Sequence, residues 1–132
     1  DLGGMTLGDA LLEPTRIYVR SVLALLAKYP VKAMAHVTGG GLTENVARVL
    51  PQDADARIVR GAWRVPRIFG VVADAAALDD EEMYRTFNMG IGFALVVDAL
   101  EAPDIAAELR ASGEAVSEIG EIVEGEGVVV YG

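Results

Sequence analysis

At 132 residues, 52% hydrophobic and 23% charged, the chain is long enough for one domain with an ordinary core and too apolar for a disordered one. It has no cysteine, which excludes disulfides, thiolate metal sites and thiol catalysis. A net charge of −9 opposes nucleic acid and anionic membrane surfaces, and no apolar run approaches the roughly 20 residues that span a bilayer.

The chain starts Asp1-Leu2-Gly3-Gly4, with no initiator methionine and no signal-peptide pattern, which suggests an excised piece of a longer protein. Residues 1–12 are Gly-rich and read as irregular. After Pro14, the residues Tyr18, Val22, Leu25, Leu26 and Tyr29 fall on one stripe of an amphipathic helix that Pro30 stops. Residues 31–37 are short, apolar and bounded by turn signals, as in a buried strand. Leu42, Val46, Val49 and Leu50 restore the helical period until Pro51. A brief strand is expected over 56–59 and a helix over 65–73, with Pro66 in its first turn and Ile68, Phe69 and Val72 inward.

Asp79 and Glu82 have capping-box spacing, so 79–87 begins as a helical turn that Asn88-Met89-Gly90 breaks. Residues 91–97 form a second apolar strand. Pro103 and Gly113 bracket a helix over 104–111 in the usual Pro-first, Gly-last order. Two final strands, 119–123 and 128–131, read as a hairpin around Glu124-Gly125-Glu126-Gly127. Helices and strands alternate early and strands close the chain, which predicts an α/β (α+β layered) domain with a mixed sheet covered by helices. There is no internal repeat and no low-complexity tract.

Chemistry concentrates in His36-Val37-Thr38-Gly39-Gly40-Gly41-Leu42-Thr43-Glu44-Asn45, where an apolar run breaks into three glycines and then into a helix. Glycines let a backbone approach an anion closely and reach φ > 0, and bare amides attract phosphate. No Gly-Lys-Ser/Thr follows, so this is not a P-loop, and Glu44 stands where a dinucleotide fingerprint has its third glycine. The alternative is a tight strand-to-helix turn. His36, the only histidine, is either a general acid/base, since imidazoles titrate near neutrality, or a strand residue satisfied by a backbone carbonyl.

In Met83-Tyr84-Arg85-Thr86-Phe87-Asn88-Met89-Gly90-Ile91-Gly92, polar donors cluster before an apolar strand. Phe87 and Met89 read as core, and Arg85 either pairs with the nearby acids or meets a ligand phosphate. The run Asp79-Asp80-Glu81-Glu82 suits helix capping and dipole complementarity better than magnesium binding. Arg16 is a surface charge or an anion clamp.

Three blocks then stand together: Leu12-Glu13-Pro14-Thr15-Arg16-Ile17-Tyr18-Val19, the glycine block from His36 to Asn45, and Glu82-Met83-Tyr84-Arg85-Thr86-Phe87-Asn88-Met89-Gly90-Ile91-Gly92. In this order and spacing they closely resemble the carboxy-terminal half of the aminoimidazole ribonucleotide (AIR) synthetase family, the phosphoribosylformylglycinamidine cyclo-ligases, from Leu11 onward. The resemblance implies residues 1–11 as a linker from a missing amino-terminal ATP-binding domain, and 12–132 as the carboxy-terminal domain with partial ferredoxin-like topology. It implies ATP-dependent closure of the imidazole ring in purine biosynthesis. ATP activates the formamide oxygen of formylglycinamidine ribonucleotide, and a substrate nitrogen displaces phosphate.

By position, Thr38, Gly39, Gly40, Gly41 and Asn45 would line the substrate's phosphate region. Arg16 and Asn88 would be further cleft residues, and His36 the candidate for proton transfer. ATP and Mg2+ would be held mostly by the missing half, with no metal site in this part. The full-length enzyme implied is a cytoplasmic homodimer binding neither nucleic acid nor membrane, and the fragment alone would be inactive. Two other readings stay open: the equivalent domain of a related ATP-dependent small-molecule kinase, and a non-catalytic anion-binding or dimerisation module.

Overall fold

Short-range chemistry places most of the element boundaries in the computed structural model, which describes residues 2–132. The first element departs from expectation. Within the Gly-rich start, Thr6 accepts a hydrogen bond from the Asp9 amide at 3.1 Å, and this cap supports a short helix α1, Leu7–Leu11. Asp1 lies outside the described residues, so the expected linker can be followed only from Leu2.

Helix α2 runs Val19–Leu26, shorter than the apolar stripe suggested, because the residue before Pro30 disfavours helical geometry and the chain closes in turns at Lys28 and Tyr29. Leu25 is fully buried, Tyr18, Val22 and Tyr29 are half-buried, and Leu26, expected inward, is 38% exposed. Strand β1, Ala33–His36, leads into helix α3, Gly41–Ala47, and strand β2 follows at Ala54–Ile58. Pro66 caps helix α4, Arg67–Ala76. The Asp79 carboxylate accepts from the Glu82 amide at 2.9 Å to start helix α5, Asp80–Thr86, as the capping-box spacing predicts. Strand β3, Phe93–Val96, helix α6, Ala102–Ala111, and strands β4, Gly120–Glu124, and β5, Val129–Tyr131, complete the chain.

The architecture is α/β with a mixed sheet flanked by helices. Strands β1 and β3 form a separate antiparallel ribbon in which His36 pairs with Phe93 and Ala33 with Val96. The mixed sheet has the order β4-β2-β5, with β2 antiparallel to β4 and parallel to β5.

The expected terminal hairpin is therefore a correction: β4 and β5 are not neighbours, because β2 lies between them. The Gly125–Val128 connection crosses the end of β2, where one Asp55 carboxylate oxygen accepts from the amides of Glu126 at 2.8 Å and Val128 at 2.9 Å. A Cβ on Gly125 would run into that carboxylate. Two strands and a Gly-rich link look the same locally whether they pair or straddle a third strand.

Two apolar cores hold the layers. The larger joins Val37, Leu42, Val46, Ile58, Met83 and Tyr84, and so ties β2, α3 and α5 to the residue that follows β1. The smaller packs Leu25 of α2 against Ile105 and Leu109 of α6, over Leu95 and Val97 at the ribbon. Each fully buried leucine contributes about 1.5–3 kcal/mol relative to exposure.

Candidate functional site

Ribbon register brings the second and third sequence blocks side by side. The Val37 amide donates to the Gly92 carbonyl at 2.9 Å, so the loop leaving β1 and the loop entering β3 share one end of the ribbon. Helix α3 then starts directly against the carboxy-terminal end of α5. Thr43 donates to the Tyr84 carbonyl at 3.3 Å and lies 2.9 Å from the Tyr131 hydroxyl.

The three glycines do three different things. Gly41 is buried at φ 58°, and a Cβ there would collide with the carbonyl oxygens of Tyr84 and Phe87, so it permits the close approach of α3 to α5. Gly40 takes φ 93°, a left-handed conformation, and a Cβ would lie 2.6 Å from a Glu44 carboxylate oxygen. Gly39 has neither constraint: its φ is not positive and no atom lies within 4 Å of where a Cβ would stand. The backbone amides of Thr38, Gly39 and Gly40 have no partner among the described residues. The Asn45 carboxamide nitrogen donates to the carbonyls of Gly41 at 2.9 Å, Gly39 at 3.1 Å and, more weakly, Thr38 at 3.5 Å.

Electrostatics divide this loop. Glu44 places its carboxylate over Gly40 and pairs with Arg48 at 3.0 Å, so negative charge guards the helix side. An anion would therefore meet the amides from the Gly39 side.

His36 is exposed at the end of β1, its ring 6.0 Å from Tyr18 and 6.2 Å from Phe93, nearly parallel to the latter. No hydrogen bond to its imidazole is found among the described residues, so the ring is not held by a backbone carbonyl. Tyr18 belongs to the helix stripe and to the first sequence block, neither of which names a partner, yet its hydroxyl lies where a Cβ on Gly92 would stand. Burial raises its pKa, Glu114 adds to the shift and Arg16 opposes it. The one local signal was Gly92 itself, since a glycine beside a strand marks close approach.

The remaining candidates fall into place unevenly. Arg16 donates to the Glu114 carboxylate at 2.6 Å and to the Gly113 carbonyl at 2.7 Å, and no contact among the described residues joins it to the glycine loop. The Ser21 hydroxyl, bonded to Glu114 at 2.5 Å, and after it Arg16, hold that carboxyl below the usual range against the opposing effect of burial. Asn88 is half-buried four residues before Gly92, and its side-chain oxygen accepts from the Gly90 amide at 2.9 Å in a tight turn. Arg85 makes no ion pair or hydrogen bond among the described residues, whereas Thr86 donates to Glu82 at 3.0 Å.

No three His, Asp or Glu side chains converge as metal ligands among the described residues. Two hollows of about 410 and 390 Å³ lie away from the loop, one beside Met5, Arg64 and Pro66, the other beside Arg57 and Glu121. Along the glycine loop, Thr38 and Gly39 are exposed, Gly40 is half-buried and Gly41 is buried. No helix among the described residues is long and apolar enough to cross a membrane.

Comparison with known proteins gives a consistent result. The family model described as AIR synthase related protein, C-terminal domain, matches residues 1–132. The phosphoribosylformylglycinamidine cyclo-ligase of Albidiferax ferrireducens is 52% identical over 121 residues, covering 92% of this chain and 35% of that protein. The enzyme of the same name from a Polaromonas species is 51% identical over 130 residues, 98% of this chain and 38% of its own length. That of Caldanaerobacter subterraneus is 48% identical over 127 residues, 96% and 38%. The chain thus spans little more than a third of the length of these relatives.

Proposed function

This chain belongs to the AIR synthase related protein C-terminal domain family, and from that premise we propose that it is the substrate-side domain of a phosphoribosylformylglycinamidine cyclo-ligase. The observation that carries the reading is the Gly39 position: an exposed glycine that the fold does not need, flanked by amides without partners. Those amides are suited to a ribonucleotide phosphate, because backbone donors hold an anion without adding charge to an acidic protein. Thr38, Gly39 and Gly40 line the phosphate, Gly41 closes the turn behind them, and Asn88 lies on the adjoining loop. Arg16, tied to Glu114 and to the Gly113 carbonyl, is assigned to the cleft beyond the loop.

ATP supplies the phosphoryl group that turns the formamide oxygen into a leaving group. In this chain the loop anchors the substrate so that its reacting nitrogen and carbon are held close together. Ring closure releases a proton from the attacking nitrogen. His36, exposed and flanked by Tyr18 and Phe93, is the side chain assigned to receive it. ATP, with its Mg2+, is assigned to the part of the relatives' length that this chain does not cover. The reading carries with it a cytoplasmic purine-biosynthetic enzyme that works as a homodimer.

Gly39→Val tests this. Calorimetric titration with formylglycinamidine ribonucleotide should show affinity reduced at least tenfold, with the melting temperature unchanged within a degree or two. Unchanged affinity would overturn the loop as the substrate site. Equal affinity of the unaltered chain for the ribonucleotide and for ribose 5-phosphate would point to a generic anion-binding module.

A further inference from the structure

Asn45 is the one buried polar or charged side chain among the described residues, 7% exposed, and a buried carboxamide needs a reason to be there. All three of its partners are carbonyl oxygens, so the nitrogen and not the oxygen must face the loop. We propose that Asn45 is a positioning residue: it draws the loop carbonyls inward and thereby turns the loop amides outward, without touching the ligand. This deepens the proposed phosphate site and rests on it.

The argument follows from peptide geometry. In a trans peptide the C=O of one residue and the N–H of the next point in opposite directions. No cis peptide occurs among the described residues. Drawing the Thr38 carbonyl inward therefore sends the Gly39 amide outward, and drawing the Gly39 carbonyl inward does the same for Gly40. These are amides found without partners. The Gly41 amide bonds back to Thr38 at 3.1 Å, closing the turn as the main hold on that carbonyl, to which Asn45 at 3.5 Å adds a weaker one. The two N–H bonds of Asn45 reach the Gly39 and Gly41 carbonyls, with Thr38 at the edge of contact, because Asn45 lies one helical turn after Gly41 on the side of α3 that faces the loop. Serine is too short to span this set, and aspartate would set an oxygen against three oxygens.

The test uses this chain, isotopically labelled, with ribose 5-phosphate as the probe. Through-hydrogen-bond NMR couplings from the Asn45 side-chain nitrogen to the Gly39 and Gly41 carbonyls should be observed in the unaltered protein. Their absence overturns the clamp without any variant. Asn45→Leu removes the donor at similar volume: the Gly39 and Gly40 amide signals should shift or broaden, and affinity for ribose 5-phosphate should fall at least tenfold. Asn45→Gln, which restores a donor, should recover part of that affinity. A folded Asn45→Leu protein with the original affinity would sink the positioning role, even if its melting temperature dropped. If ribose 5-phosphate leaves the Gly39 and Gly40 amides of the unaltered protein unmoved, the phosphate site itself fails, a result distinct from loss of the couplings.

Discussion

Three adjacent glycines are indistinguishable in composition, but their surroundings separate them. Gly41→Ala should be the most damaging change to the fold. It combines a left-handed backbone, costing about 1–2 kcal/mol, with a collision against two carbonyls that cannot move without shifting α5. Urea unfolding should show a loss of about 3 kcal/mol or more for Gly41→Ala, against a change within about 0.5 kcal/mol for Gly39→Ala, which has open space and no positive φ. Comparable losses at both positions would show that the glycines share one structural task. Gly40 is intermediate, because its obstacle is the flexible end of Glu44, although φ 93° still strains any substituent. Met89 also takes a left-handed conformation, φ 51°, and its carbonyl accepts from the buried Trp63 indole at 2.9 Å.

Between elements, carboxylates hold what apolar packing does not. Asp55 fixes the link from β4 to β5 through the amides of Val128 and Glu126, and these bonds lower its pKa against the opposing effect of burial. Glu114, beyond α6, binds Ser21 of α2 and Arg16 ahead of it and is lowered in the same direction. A carboxyl lowered in the folded state contributes stability above its unfolded pKa, near 4, and that contribution is lost as pH falls through the folded value. Thermal denaturation between pH 6 and pH 2 should therefore show stability falling on the acid side of pH 4. Asp55→Asn should be less stable than the unaltered chain at pH 6, and the two should converge at low pH. A gap that persists undiminished at pH 2 would show that the carboxylate's charge is not what holds the turn.

For the whole molecule, the decisive feature is how much of the proposed site this chain carries. Thr38, Gly39 and His36 are exposed while Gly41 is buried and Asn88 half-buried, and the chain covers 35–38% of the relatives it matches. Excluding water and aligning two reactants both require enclosure, which an open loop does not supply. The purified chain is therefore expected to bind substrate yet release no phosphate from ATP and form no aminoimidazole ribonucleotide. Ring closure by this chain alone would overturn the assignment of ATP to the rest of the polypeptide.

What the sequence determined by itself was the class of elements, their order, most of their ends and the family. These depend on residues within a turn or two of one another: the Asp79–Glu82 cap, the Pro66 start, the Pro103 and Gly113 brackets, and three blocks in a fixed order. Even there the Thr6 cap was hidden in a Gly-rich stretch that read as irregular. Tertiary structure alone decided that β2 separates β4 from β5, that Arg16 reaches Glu114, that Tyr18 covers Gly92, and which of the three glycines the fold requires. Each of these rests on partners tens of residues apart, and local periodicity carries no information about which distant surface a side chain will meet.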